Sequence, residues 1–149
     1  MTKSSSKIET REVIGETLKS VRFERIHFDT KFTDSTFESV AFDQCRLDRV
    51  LMARTKWSYS NFRGSTLVVE FTDAVFEDCS FHDVTFKGLQ NEYGGIRARF
   101  VKCDFSRATF NQVCLRACRF VDCCFDGARL LKCDVRGTLH NGLQMANTG

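Results

Sequence analysis

Residues 98–127 read Ala-Arg-Phe-Val-Lys, Cys-Asp-Phe-Ser-Arg, Ala-Thr-Phe-Asn-Gln, Val-Cys-Leu-Arg-Ala, Cys-Arg-Phe-Val-Asp and Cys-Cys-Phe-Asp-Gly, each five with a large apolar residue at its centre. Working outward, the same grid runs through most of the chain. All fifteen phenylalanines fall on it, at 23, 28, 32, 37, 42, 62, 71, 76, 81, 86, 100, 105, 110, 120 and 125, in steps of five with occasional steps of four. Leu47, Met52, Trp57, Leu67, Leu115, Leu130 and Val135 take the remaining centres. Two residues before each centre stands a small or β-branched residue, from Val21 and Ile26 to Ala128 and Cys133, and none of these is charged.

A period of five fits neither the 3.6 of an amphipathic helix nor a sustained period of two. Within each five, the small and the large residue lie two apart, so in an extended segment both point the same way with an outward residue between them. The two positions left over must turn the chain. They are rich in Asp, Arg, Ser, Gly and Lys, as in Glu24-Arg25, Asp48-Arg49 and Asp126-Gly127, which suits solvated corners. The chain therefore bends every five residues around an apolar axis. The absence of proline agrees, because stacked coils need their backbone N–H groups for pairing.

Val40-Ala41-Phe42-Asp43-Gln44, Cys79-Ser80-Phe81-His82-Asp83 and Cys103-Asp104-Phe105-Ser106-Arg107 resemble the pentapeptide-repeat family: a small residue, a polar one, a central Leu or Phe, then two polar residues. The resemblance spans residues 21 to 137 and implies an all-β fold, a right-handed four-sided β-helix of about five to six coils. The steps Phe28 to Phe32 and Leu67 to Phe71 lie eight repeats apart, so they should tighten the same corner two coils apart. Residues 1–20 are expected to be a tail and cap, with Ile8, Val13, Ile14 and Leu18 covering the first coil, and 138–149 a C-terminal tail. Residues 87–99 break the pattern and carry Gly94-Gly95. They read as a loop leaving the rod or as up to two degenerate repeats centred on Asn91 and Ile96; the loop is favoured because Asn91 suits a core poorly.

The 42% hydrophobic and 28% charged composition supports a buried core, and no apolar run approaches the ~18 residues of a spanning helix. The first residues lack the apolar stretch of a secretory signal, so a cytoplasmic protein with free thiols is expected. Six of the eight cysteines (45, 79, 103, 118, 123 and 133) occupy the inward small position, where a thiol packs as a small hydrophobe. Cys118, Cys123, Cys124, Cys114 and Cys133 invite a zinc reading, but their spacing does not fit one. Cys114 and Cys124 should point outward. His27, His82 and His140 do not converge, and no phosphate loop or catalytic constellation is present. The expectation is no enzyme, no cofactor and no metal.

Charge divides along the chain. Phe23–Phe86 carries seven Lys or Arg against eleven Asp or Glu, and Arg97–Arg136 nine against four. Within the acidic half a basic knot, Arg46, Arg49, Arg54 and Lys56, lies beside Leu51, Tyr59, Val68 and Val75 at outward positions; these eight are the candidate partner-binding surface. An incompletely covered final coil makes Val135, Leu139 and Leu143 the candidate contact of a homodimer about a two-fold axis. The favoured function is a non-enzymatic interaction module binding a protein partner through rigid outer faces. The resemblance implies two alternatives. One is a DNA mimic that protects a bacterial type II topoisomerase from quinolones or peptide toxins; the net charge of +3 argues against it, as it does not suffice for direct nucleic-acid binding. The other is a secreted bacterial effector.

Overall fold

A computed structural model describes residues 2–4, 8–9 and 12–140, and among them every regular element is a short β-strand. The strands pair in parallel with the equivalent strand of the next coil, which builds two seven-stranded sheets and a third sheet continued by isolated bridges. The remaining face is built mostly from isolated bridges, such as Lys31 with Leu51 and Glu70 with Gly94, with Leu51 pairing Glu70 between two strands. Followed along the chain, coil after coil visits four faces in order. Phe23, Phe42 and Phe62 stack on the first, Phe28, Leu47 and Leu67 on the second, Phe32, Met52 and Phe71 on the third, and Phe37, Trp57 and Phe76 on the fourth. The architecture is a four-sided parallel β-helix of about six turns, each advancing the rod by roughly one strand spacing of 4.8 Å.

The repeat grid maps onto this geometry residue by residue. Centres are buried: Phe37, Phe62, Phe105, Phe110 and Phe120 are all fully inside. The residue two positions after nearly every centre has positive φ, as in Arg25, Gln44, Tyr59, Asp78, Arg107 and Lys132, with glycine at 64, 127 and 137. These corners are left-handed, a conformation that Asn, Asp and Gly tolerate best, and one that proline's fixed φ forbids. Neither four-residue step has such a residue, because Asp29 and Val68 are followed directly by the next repeat. Both short steps fall on the corner between the second and third faces, as their spacing predicts.

Inside the rod, aromatic rings stack in columns. On the first face Phe62, Phe81, Phe105 and Phe125 follow one another at 5.0, 4.9 and 5.0 Å with planes within 6°. On the fourth, Phe76, Phe100 and Phe120 stand 4.9 and 4.8 Å apart. Neighbouring columns meet edge to face, as Phe105 does with Phe120 at 5.6 Å and 72°. Trp57 enters the fourth column 3.8 Å from Phe37, and its indole N–H donates to the Thr55 hydroxyl, which itself donates to the Met52 carbonyl. Buried Ser60 and Ser65 accept from the backbone N–H of Val40 and Cys45, so the small polar residues of the inward column are satisfied by the coil below.

Three segments outside the regular grid also join the ladder. Thr17–Lys19 pairs with Thr36–Glu38, Ile8–Glu9 with His27–Phe28 and Thr2–Ser4 with Arg22–Glu24, so the segment expected as a cap is laddered onto the first repeats as a coil of its own. Leu139–His140 pairs with Arg119–Phe120, which carries the ladder past residue 137. Segment 87–99 is both loop and repeat. Leu89, Gln90 and Asn91 form a left-handed turn, after which Gly94 bridges Glu70 and Cys114 and Gly95 takes the centre position over Phe71. The degenerate repeat is thus centred on Gly95, not on Asn91 or Ile96. Only glycine fits there, since a Cβ at 95 would lie 2.3 Å from the Phe71 ring. A phenylalanine from the neighbouring coil fills the space that a side chain at 95 would occupy.

Phe105 is fully buried between Phe81 and Phe125, so Phe105→Ala is expected to cost about 3–5 kcal/mol by opening a cavity that a ladder at fixed spacing cannot close. Arg107→Ala, which removes an exposed ion pair with Asp83, is expected to change stability by less than about 1 kcal/mol. Urea denaturation of the two variants checks the contrast, and equal losses would contradict the inward placement of the centres.

Candidate functional site

With the interior packed by its own side chains, whatever this rod recognises must meet its outer faces. The basic knot read from the sequence is not one patch. Its members belong to a single coil and are distributed around it: Arg46 on the second face, Arg49 at the next corner, Leu51 on the third face, Arg54 at the corner after it, Lys56 on the fourth and Tyr59 at the last corner. Two of them are already engaged, Arg49 with Asp48 at 2.9 Å and Arg54 with Asp34 at 2.7 Å. Val68 is also not an outward contact residue, being only 4% exposed. Asp29, at the equivalent short corner two coils away, is exposed. Tyr59 projects freely at 66% exposure, and Val75 lies half-buried beside Lys56 in register.

The corner between the third and fourth faces carries a ladder of alternating charge. Arg54 donates from Nε and Nη2 to the two carboxylate oxygens of Asp34 at 2.7 and 3.0 Å, and Arg97 does the same to Asp73 at 3.0 and 3.1 Å. These bidentate hydrogen bonds from the guanidiniums hold the Asp34 and Asp73 carboxyls below the usual carboxylate range. The positive charge of Arg54 also acts on Asp73, linking the two pairs. Asp134 is lowered in the same way by Arg136.

The thiols behave as packing groups. Cys103 donates to the Phe76 carbonyl and Cys123 to the Phe100 carbonyl, each in the coil beneath. Burial pushes Cys45 up to about 11 and Cys118 up to about 12. Cys114 and Cys124 are the half-buried pair at outward positions, and they lie on different faces. Among the described residues no three His, Cys, Asp or Glu side chains gather as metal ligands do.

The surface that does cohere is the C-terminal part of the fourth face. Its strands are Lys56–Ser58, Val75–Glu77, Arg99–Val101 and Arg119–Val121, paired so that Val75, Arg99 and Arg119 form one outward column and Glu77, Val101 and Val121 the other. Arg99 and Arg119 are exposed, and Val101 and Val121 are half-buried. Lys56, Val75, Glu77 and Arg99 line a shallow open hollow at its upper end. Lys56 and Val75 are among the candidates read from the sequence; Arg99, Arg119, Val101 and Val121 are not. The signal for those four lies in residues twenty apart, since Arg99-Phe100-Val101 recurs as Arg119-Phe120-Val121. Of the expected dimer contacts, Val135 is an inward centre packed against the core, Leu139 is 60% exposed on the last described strand, and Leu143 lies outside the described residues.

A parallel β-helix with a five-residue grid defines a class of repeat protein, and comparison with known proteins agrees. The sequence profile of pentapeptide repeats matches residues 103–139 in eight copies. Over those residues the chain matches the pentapeptide-repeat family, and the same grid continues through the rest of the rod. Among solved structures, a trypsin-treated form of QnrB1, a plasmid-mediated fluoroquinolone resistance protein, is similar with a TM-score of 0.53 at 16% identity, covering 93% of this chain and 74% of that one. HetL, a pentapeptide-repeat protein involved in heterocyst differentiation regulation from the cyanobacterium Nostoc sp. strain PCC 7120, has a TM-score of 0.48 at 14% identity, over 94% of this chain and 66% of its own. No curated protein matches the sequence significantly.

Because Asp34, Asp73 and Asp134 titrate lower when folded than when unfolded, the stability they contribute is complete above the unfolded value of about 3.9 and is lost as pH falls through the folded values. Asp73→Asn is expected to shrink that acid-side loss. Urea midpoints measured from pH 2 to 7 for both proteins check this; identical acid slopes would remove Asp73 from the account.

Proposed function

We propose that the protein is a non-enzymatic interaction module that binds a protein partner through its rigid outer faces. The observation that carries this reading is the fourth face, where two exposed arginines and two half-buried valines repeat in register on a flat sheet while the core beneath is filled. A solenoid holds such side chains at fixed positions without an ordering cost on binding, which favours surface recognition. The chain's net charge of +3 and the basic C-terminal half of the rod support partner capture by charge and weigh against imitation of a DNA duplex. The reading places the protein in the cytoplasm, in keeping with its free thiols.

Photo-crosslinking tests it. A photoreactive residue is placed at Ser80, Thr85, Leu51 or Val101, one outward position per face, in cells expressing the full chain. The expected result is a covalent adduct with a protein from one or two faces; no adduct from any of the four would overturn the proposal.

We further propose that the module is a homodimer through its C-terminal coil, with Val135, Leu139 and Leu143 at the contact. The 60% exposure of Leu139, an apolar side chain on the last described strand, supports it, since pairing of two ends about a two-fold axis covers such a residue. Sedimentation velocity at micromolar concentration is expected to show a dimer that Leu139→Asp dissociates. A monomeric wild type excludes the proposal.

A further inference from the structure

We propose that the C-terminal part of the fourth face docks an acidic amphipathic helix, whose carboxylates engage Arg99 and Arg119 and whose apolar residues lie along Val101 and Val121. This rests on the interaction-module reading and names its face and the chemistry of its partner.

About half the arginines of the rod reach a carboxylate, as Arg54 does with Asp34, Arg97 with Asp73 and Arg107 with Asp83. Arg99 and Arg119 take part in no such pair among the described residues, yet they are direct partners in the parallel ladder. Like charges set opposite each other across a ladder repel. Nothing in the fold requires both, since other positions of that outward column hold Thr36, Lys56 and Val75. An incoming carboxylate relieves the repulsion and gains two guanidinium donors. Lys102, exposed at the adjoining left-handed corner, adds a third cation.

The backbone of this face is already paired above and below, so a partner cannot add itself as a strand and must bind through side chains. Spacing then selects its conformation. Successive arginines stand one strand spacing apart, about 4.8 Å, whereas same-side residues of an extended segment are separated by about 6.6 Å. A helix lying along the rod places residues i and i+3 about 4.5 Å apart and i and i+4 about 6.0 Å apart, which brackets the arginine spacing. The valine column runs beside the arginines at the same interval, so a neighbouring apolar stripe on that helix meets Val101 and Val121 together. A nucleic-acid backbone would find only the cations, with valines between them and Glu77 and Asp122 bordering the patch.

The test uses the full chain and a fluorescein-labelled helical probe peptide carrying glutamates at i and i+3 and leucines on the adjoining stripe. Fluorescence anisotropy is expected to show binding that weakens about tenfold or more in Arg99→Glu/Arg119→Glu, with Arg119→Glu alone as a second variant that pairs its new acid with Arg99 and so preserves the fold. A probe with lysine in place of glutamate is expected to regain binding to the double variant, and one with serine in place of leucine to lose it on the wild type. Unchanged affinity in both variants overturns the proposal. So does a single-stranded oligonucleotide that binds the same arginines as tightly, which would make the face a nucleic-acid surface. Self-association that the substitutions abolish would make the occupant a second copy and overturn it equally. If the probe fails to bind here while photo-crosslinking captures a protein from another face, this inference falls and the module stands; no crosslink from any face removes the module itself.

Discussion

The distance between hydrogen-bonded strands and the distance at which aromatic rings stack in parallel are nearly the same, and this rod is built on that coincidence. Phe100 and Phe120 stand 4.8 Å apart because their strands do. A ring therefore meets the ring of the next coil without adjusting its rotamer, and each coil offers the next an identical surface. Fifteen phenylalanines in 149 residues are the compositional trace of this condition. Where the column departs from it, as at Trp57, the larger ring slips to 3.8 Å from Phe37 and 5.9 Å from Phe76, and a buried threonine is needed to satisfy its N–H.

Once the interior fixes the register, the exterior inherits it. Every outward residue faces the equivalent residue of the adjacent coil, so surface chemistry is written in columns. Asp34, Arg54, Asp73 and Arg97 show a column in which alternation of sign neutralises itself. Arg99 and Arg119 show one in which repetition of sign does not. The same geometry yields either a self-sufficient corner or an unsatisfied face, and the difference is one of sequence alone.

The grid of centres makes the inward and outward assignment legible from the residues themselves, because a period of five admits few backbones and every phenylalanine obeys it. The short corners are legible for the same reason. The candidate surface is much less so. Arg46, Arg49, Arg54 and Lys56 cluster within eleven residues of chain but spread around a whole coil, since five residues turn through one side of the rod. Arg99 and Arg119 are twenty residues apart in sequence and adjacent in space. Val68 and Gly95 escape the repeat pattern: Val68 is buried at a short corner where the grid places an outward residue, and the extra turn at 88–92 delays Gly95 to a centre position that carries no side chain of its own. The left-handed corners give little warning, since arginine, lysine and tyrosine occupy them alongside aspartate and glycine.

The coil that carries this turn closes over 24 residues, Phe76 to Phe100, where its predecessor closes over 19, Trp57 to Phe76. By the logarithmic law of ring closure the longer circuit costs the chain only about 0.2 kcal/mol more in entropy. Length at a corner is thus almost free, whereas a shift within a face would misplace every column above and below it. A lineage of such rods can therefore lengthen, shorten and redecorate its corners by insertion and deletion while its faces change only by substitution. The 88–92 turn marks the kind of place where variation in length between relatives should accumulate.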